Sequence, residues 1–210
     1  DKYCICESPE RYLKKEGDKI SSSPIKGTSR RYPEDEKKDE ESRRALLSSA
    51  KDKSENVMVV DLVRNDLSKV CREGTVQVEE LFKLKSFPAI HHLVSTVSGN
   101  LVEGLNWIDA VEASFPMGSM TGAPKKKVLE LIRKFEATGR GLFSGTIGFI
   151  KPNGDCDFNV VIRSILIDKK KKTLSFWAGS GITFYSDPEA EYEECLLKAA
   201  AIQAVLNKAS

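Results

Sequence analysis

The sequence has no apolar run of membrane-spanning length and no excess of charge of either sign. The first absence excludes a transmembrane helix, which needs about 20 consecutive apolar residues. The formal net charge of +2 gives no electrostatic case for binding nucleic acid or a membrane surface. The first residues do not resemble a signal peptide but read as the middle of a strand, and we expect the chain to be a piece of a longer one.

Two kinds of site that short motifs reveal are also missing. The order GxxxxGK[ST] is absent, which excludes a Walker A phosphate-binding loop. The five cysteines are irregularly spaced, and Cys4 and Cys6 are too close together for a metal-binding knuckle. We therefore expect reduced thiols in a cytoplasmic protein.

The most informative stretch that is present covers residues 23–28, with the sequence SPIKGT. Pro24 fixes its own φ and Gly27 tolerates almost any φ, so the backbone around Lys26 is set by its neighbours. The ammonium of Lys26 is then either a lysine of a surface turn or an aimed reactive amine. The residues alone leave both interpretations open.

The chain begins with alternation that is typical of strands. Residues 1–7 and 20–25 are predicted strands of one hairpin, with a charged turn at residues 14–19. Such a hairpin would bring Glu10 and Lys26 to the same rim. From the residues alone, Glu10 is a turn carboxylate paired with the arginine that follows it.

Two helices are predicted next. The charge-rich residues 29–53 indicate a solvated helix that could cover a site. Residues 54–70 carry an apolar stripe with helical spacing, and Ser54 or Asp52 would cap this second helix.

Two carboxylates, Glu55 and Asp66, lie at the edge of that stripe. Because an isolated buried charge is very costly, a carboxylate that faces a core needs a partner. The expected partner is a metal ion or an arginine. For Glu55, stabilisation by the dipole at the start of the helix is the alternative.

Residues 75–78 and 83–97 are predicted strands, and Pro88 indicates a bulge or a sheet edge in the second. His91 and His92 are adjacent on that strand. Neighbouring strand residues point to opposite faces, so only one of the two can face a site. Core packing or a turn is the alternative role for the pair.

A short helix at residues 107–115 leads into the glycine-bearing loop 116–125, with the sequence PMGSMTGAPK. Pro124 is well placed at the first turn of the helix that follows. Free amides at a helix start attract anions, whereas the lysines at 125–127 add charge where the dipole is already positive. Either an anion binds there or most of these lysines point into water.

The last third of the chain is predicted to form strands at residues 145–151, 158–168 and 173–178. Arg163 interrupts the apolar second strand, and its guanidinium needs a carboxylate from a ligand or from an internal salt bridge. The glycine segment 179–181 can bring backbone amides close to an anion.

The final predicted helix covers residues 188–206. Glu191 and Glu194 project from the inner side of its first turns. Clustered glutamates repel each other unless a cation joins them, although the dipole of the helix start could also explain them. The inward stripe of this helix consists of Cys195, Ala199, Ile202 and Leu206.

Together these segments resemble the chorismate-utilising enzymes. The resemblance rests on SPER at 8–11, PIKGT at 24–28, SEN at 54–56, DLVRND at 61–66, GAPK at 122–125 and the glutamates of 191–194. It runs from Glu7 to Leu206. It implies an α+β fold of two packed, mainly antiparallel β-sheets flanked by helices. Residues 1–210 would form the C-terminal part of the chorismate-binding domain, without its N-terminal portion.

The lysine of PIKGT points to the branch of the family that makes 4-amino-4-deoxychorismate for para-aminobenzoate and folate. The resemblance implies that Lys26 is the nucleophile, Glu10 the acid/base residue and His92 the active-site histidine. It implies an Mg²⁺ ion on Glu55 and Glu194, with Glu191 in support. The substrate contacts that it implies are Ser119, Thr121, Lys125, Arg163, Gly179, Ser180 and Gly181.

The resemblance also implies a partner, a glutamine amidotransferase subunit that supplies ammonia. Anthranilate synthase component I is the nearest alternative, and that subgroup usually carries alanine at the position of Lys26. It usually has tyrosine where this chain has Phe149, which puts one carboxylate contact in doubt. An inactive fragment of either enzyme is the third possibility.

Overall fold

The computed structural model describes the backbone of residues 1–184 and 186–209, and all side chains of these residues except 201, 208 and 209. The chain forms two compact units. The larger unit contains residues 10–139 and 147–159, and the smaller unit contains residues 1–9, 140–146 and 160–210. Within the described residues, no helix is both long enough and apolar enough to cross a membrane.

Ten strands and six helices alternate irregularly along the described chain. The strands are β1 (Lys2–Cys6), β2 (Arg11–Glu16), β3 (Lys19–Ser23), β4 (Ile25–Arg30), β5 (Gln77–Ser86), β6 (Ile90–Asn100), β7 (Thr146–Ile150), β8 (Cys156–Val160), β9 (Ser164–Asp168) and β10 (Thr173–Phe176). The helices are α1 (Glu36–Ser48), α2 (Ala50–Ser68), α3 (Trp107–Ser114), α4 (Gly118–Thr121), α5 (Lys125–Phe135) and α6 (Pro188–Ala209). Two antiparallel sheets with helices confirm the predicted α+β class.

Strand β6 is the centre of a seven-stranded sheet in the larger unit. It pairs with β5 on one side and with both β3 and β4 on the other, and the sheet continues through β2, β8 and β7. Pro24 separates β3 from β4 because it has no N–H to donate to the ladder. Its carbonyl still accepts a hydrogen bond from the Ser95 N–H at 3.2 Å, so β3 and β4 follow one line along β6.

The hairpin that precedes Lys26 is not the predicted one. Strand β1 pairs with β9, and the partner of β3 is β2, which takes up residues 14–16 of the predicted charged turn. Tyr12 and Leu13 explain the difference, since both are buried and supply an apolar anchor among the charges. The prediction that a hairpin brings Glu10 and Lys26 to the same rim still holds, because Glu10 directly precedes β2 and Lys26 closely follows β3.

Helices α1 and α2 pack against this sheet. An exposed helix is confirmed within the charge-rich run, but α1 is shorter than the predicted 29–53, since residues 29–30 belong to β4 and residues 50–53 to α2. Helix α2 begins earlier than predicted, because the Ser49 hydroxyl caps it by accepting a hydrogen bond from the Asp52 N–H at 3.2 Å. Its buried Val59 and Leu67 confirm the predicted apolar stripe.

Two predicted long strands are each broken in the structure. The segment 83–97 is a hairpin, because Pro88 lies in the turn between β5 and β6, where the Phe87 N–H donates to the Ile90 carbonyl at 2.8 Å. The segment 158–168 divides into β8 and β9, which belong to different sheets. Arg163 lies at this break with φ of 50°, a left-handed value that a regular strand does not allow.

The smaller unit holds a three-stranded antiparallel sheet in the order β1-β9-β10, together with α6. Helix α6 confirms the predicted final helix and continues to Ala209. Ala199 and Ile202 are buried, as the predicted inward stripe requires.

Candidate active site

Lys26 lies in a β-bulge of β4. Ile25 pairs with Val94 and Thr28 pairs with His92, so β4 uses three steps where β6 uses two. Gly27 makes the bulge possible with φ of 91°, a value that L side chains rarely adopt. Bulges re-aim a side chain, so the backbone at Lys26 is set by its neighbours, as the sequence predicted.

Helices α1 and α2 approach the bulge closely. A Cβ atom built on Gly27 would lie 3.0 Å from both Leu46 Cδ1 and Asp52 Cβ. The Lys26 side chain is half-buried, and within the described residues its ammonium makes no hydrogen bond and no ion pair. A half-buried amine in a fixed bulge matches an aimed reactive group better than a turn lysine.

Glu10 is 5% exposed at the start of β2. The arginine that follows it, Arg11, donates from Nε and Nη2 to the two carboxylate oxygens of Asp157 at 2.8 and 2.9 Å. The burial of Glu10 does not fit an exposed turn carboxylate. A buried carboxyl at this position is consistent with the acid/base role, which stays a prediction.

The two histidines have separate partners, as their alternation on β6 predicted. His91 lies between Ser86 and Asp39, with its Nδ1 at 2.8 Å from the serine hydroxyl and its Nε2 at 3.0 Å from the carboxylate. His92 Nδ1 lies 2.9 Å from the Thr28 hydroxyl, and its ring meets the Phe87 ring edge-on at 5.6 Å between centroids. Both rings are buried.

Asp66 is buried on α2, and its partners are two lysines. Lys125 Nζ donates to Oδ2 at 2.6 Å and Lys69 Nζ donates to Oδ1 at 2.9 Å. The expected metal ion or arginine at Asp66 is therefore wrong. Lys125 also donates to the Ser114 carbonyl at 2.9 Å, which ties the start of α5 to the end of α3.

The glycine-bearing loop contains the one-turn helix α4, which the sequence did not predict. Ser119 and Thr121 lie on it half-buried, and the Thr121 hydroxyl donates to the Met117 carbonyl at 3.1 Å. Lys126 and Lys127 are exposed, so two of the three lysines do point into water.

A buried polar network lies beside this loop. The hydroxyls of Tyr12 and Ser114 are 2.7 Å apart, and a cavity of about 20 Å³ next to them has room for a single water. Burial raises the pKa of Tyr12 to about 12, and the nearby Asp66 charge adds to the effect while the Ser114 hydrogen bond opposes it.

In the smaller unit, Lys198 joins several of the predicted site residues. Its Nζ donates to the Gly179 carbonyl at 2.9 Å and pairs with Glu194 Oε1 at 2.5 Å. Its own carbonyl accepts a hydrogen bond from Arg163 Nη1 at 3.0 Å. Burial lowers the pKa of Arg163, and the Glu194 charge acts in the opposite direction.

Ser186 has a similar linking role. Its hydroxyl donates to Glu191 Oε1 at 2.8 Å and lies 3.3 Å from the Gly181 carbonyl. The sequence interpretation missed both Ser186 and Lys198. The position of Lys198, four residues after Glu194 on a helix, was the available signal.

The described residues contain no group of three or more His, Cys, Asp or Glu side chains that could hold a metal ion. Glu191 and Glu194 lie on α6 in the smaller unit, and Glu55 is half-buried on α2 in the larger unit. Mg²⁺ needs only one or two protein carboxylates, with water and substrate oxygens as its other ligands, so the α6 glutamates are a chemically suitable donor set. The magnesium site stays a prediction.

Comparison with known proteins decides the family. Residues 1–204 match the family described as chorismate binding enzyme. The chain belongs to this family. It is 44% identical over 206 residues to a probable chloroplastic aminodeoxychorismate synthase of Oryza sativa subsp. japonica, which covers 98% of this chain and 23% of the rice protein. It is 42% identical over 201 residues to aminodeoxychorismate synthase component 1 of Escherichia coli strain K12, covering 96% of this chain and 44% of that protein.

A solved anthranilate synthase component has the same fold. The anthranilate synthase component I of Streptococcus pneumoniae TIGR4 matches with a TM-score of 0.82 and 31% identity, over 95% of this chain and 43% of that one. The chain thus spans less than half the length of each of these three proteins.

Proposed function

We propose that the protein containing this chain is an aminodeoxychorismate synthase component 1, which converts chorismate and ammonia to 4-amino-4-deoxychorismate for para-aminobenzoate and folate synthesis. The observation that carries the proposal is Lys26, a half-buried amine in a glycine-dependent bulge. The printed names of the rice and Escherichia coli relatives support the same reaction.

Lys26 acts as the nucleophile in this proposal. Its neutral Nζ forms a bond to the substrate ring while the bond to the 4-hydroxyl breaks, and Glu10 gives the proton with which that hydroxyl leaves as water. Ammonia then displaces the lysine, which is released as the free amine. His92 would hydrogen-bond a hydroxyl or carboxylate of the substrate.

The other predicted residues would bind the substrate and the metal. Arg163 and the amides of Gly179, Ser180 and Gly181 would hold carboxylates, and Ser119, Thr121 and Lys125 would line the pocket. Glu55, Glu194 and Glu191 would hold Mg²⁺, which when bound would draw charge from the ring carboxylate. The pairing of Glu194 with Lys198 means that the metal would compete with this ammonium for the carboxylate.

A glutamine amidotransferase subunit would supply the ammonia. The designation of the Escherichia coli relative as component 1 supports a multi-component enzyme. The five cysteines are all free thiols in the structure, which supports a reducing compartment such as the predicted cytoplasm.

Anthranilate synthase component I is the second candidate, because a solved member of that group shares the fold at 31% identity. Lys26 discriminates between the two. Replacing this lysine removes the covalent step but leaves the pocket, so the two enzymes differ in whether the amine is needed.

Intact-mass spectrometry of the full-length protein tests the proposal. The protein is incubated with chorismate and Mg²⁺ without ammonia, as wild type, as Lys26→Ala and as Lys15→Ala, a half-buried lysine on β2 that serves as control. We expect a substrate-derived adduct on wild type and on the control, and none on Lys26→Ala. Absence of an adduct, together with equal ammonia-dependent anthranilate formation by all three proteins, would favour anthranilate synthase.

A further inference from the structure

We infer that Thr28 is a positioning residue for His92 and that the bulge at Lys26 and Gly27 places it there. The hydrogen bond is a property of the fold, and its role in catalysis rests on the proposed function. Nothing in the sequence patterns marked Thr28 as more than the last residue of the PIKGT segment.

The contact between the two side chains is direct. Thr28 stands opposite His92 in the β4–β6 ladder, and its hydroxyl lies 2.9 Å from Nδ1 of the ring. A threonine side chain is stiff at χ1, so its hydroxyl has a well-defined direction. The edge-on Phe87 ring adds a second restraint on the imidazole.

The bulge determines which residue stands opposite His92. Between Ile25 and Thr28, β4 has two residues where β6 has one. In a regular ladder Gly27 would stand opposite the histidine, and a glycine has no hydroxyl to offer. One local feature therefore sets the backbone of Lys26 and brings the hydrogen-bonding partner to His92.

The hydrogen bond assigns roles to the two ring nitrogens. Because Thr28 engages Nδ1, a hydrogen bond from this ring to a substrate would use Nε2. A threonine hydroxyl can either donate to or accept from Nδ1, so the contact holds the orientation of the ring in either tautomer. His91 provides the contrast, since Ser86 and Asp39 engage both of its nitrogens and leave it a structural residue.

Nitrogen-15 NMR of the imidazole rings tests the structural part. Thr28→Val keeps the branched shape without the hydroxyl, and Thr28→Ser keeps the hydroxyl. We expect Thr28→Val to move the ring ¹⁵N shifts of His92 and not those of His91, and Thr28→Ser to retain the wild-type shifts. Assignment comes from His91→Gln. Unchanged His92 shifts in Thr28→Val would overturn the inference.

Steady-state kinetics of the full-length protein with ammonia tests the catalytic part. We expect Thr28→Val to lower kcat by about tenfold to a hundredfold with KM changed by less than about twofold, because a misoriented group costs rate rather than binding. Thr28→Ser should recover most of kcat. A wild type that forms no 4-amino-4-deoxychorismate would refute the proposed function, and the NMR result would still decide the role of Thr28. An active wild type with an equally active Thr28→Val would refute the positioning role.

Discussion

Lys125 Nζ lies 2.6 Å from Asp66 Oδ2, which makes the lysine of the GAPK segment an internal partner of the α2 helix. The family resemblance assigns the same lysine to substrate binding. The structure gives it a further role, since the pair anchors the glycine-bearing loop between α3 and α5 to α2. Asp66 is 4% exposed, so the interaction is shielded from solvent.

Lys125→Met should destabilise the larger unit. Removing one partner of a buried ion pair costs about 3 kcal/mol, and Lys69, which also pairs with Asp66, should reduce that cost. The measurement is the free energy of unfolding in urea. Lys127→Met is the matched control, because Lys127 is exposed and pairs with Glu130 within the same helix. Equal free energies for the two variants would show that the Asp66 contact contributes nothing.

Gly27→Ala should destabilise the protein more than Gly17→Ala. Both glycines have positive φ, so each alanine should destabilise the folded state by about 1 kcal/mol through backbone strain. Only at Gly27 would the new methyl group lie within 3.0 Å of Leu46 and Asp52, whereas nothing lies within 4 Å at Gly17. We expect the additional cost to be about 1–2 kcal/mol. Thermal unfolding of both variants measures this difference in stability. Equal losses of stability in the two variants would mean that α1 and α2 move away from the new methyl group without cost.

The sequence predicted the features that depend on the spacing of neighbouring residues. Features that depend on contacts between distant segments could not be predicted from it. The stripe of α2 follows from the 3.6-residue period of the helix, and its buried Val59 and Leu67 confirm it. Asp66 has one partner at helical spacing, Lys69, but its other partner, Lys125, lies 59 residues away, where no sequence spacing applies. The break at Arg163 was invisible because the residue stands inside a continuous run of strand-forming residues.

The candidate site shows the same division between local features, which the sequence predicts, and pairing between strands, which it does not. Pro24, with its fixed φ, and Gly27, with its wide range of φ, predicted that the neighbours set the backbone at Lys26, whereas the bulge itself appears only in the strand pairing. Thr28 could not be recognised as the partner of His92 without the pairing register, because a shift of one residue would place Gly27 there.

Cys71 and Cys156 should react with a thiol reagent only after unfolding. Burial raises the pKa of Cys71 to about 11 and also raises the pKa of Cys156, so neither thiol forms much thiolate at neutral pH. Labelling with iodoacetamide at pH 7.5, followed by peptide mass spectrometry, measures this. The control is the same labelling in 6 M guanidinium chloride, where both should react; rapid labelling of either cysteine in buffer would contradict the burial.

Tyr12 should make the stability of the larger unit fall at high pH. Its pKa is about 12 in the folded chain against a reference value of 10.0, so the native state favours the neutral phenol. The stabilisation is therefore fully present below pH 10 and is lost as the pH rises toward 12, with a total of about 2–3 kcal/mol.

Tyr12→Phe isolates this contribution, because it removes the titrating group and the hydrogen bond to Ser114. At pH 8 the variant should be less stable than wild type by about 1 kcal/mol in urea unfolding, the net value of one hydrogen bond. Between pH 10 and 12 wild type should lose more stability than the variant, so the difference should shrink and then reverse. Lysines titrate over the same range in both proteins and cancel in the comparison. A constant difference across this range would show that the Tyr12 hydroxyl ionises as readily in the folded chain as in the unfolded one.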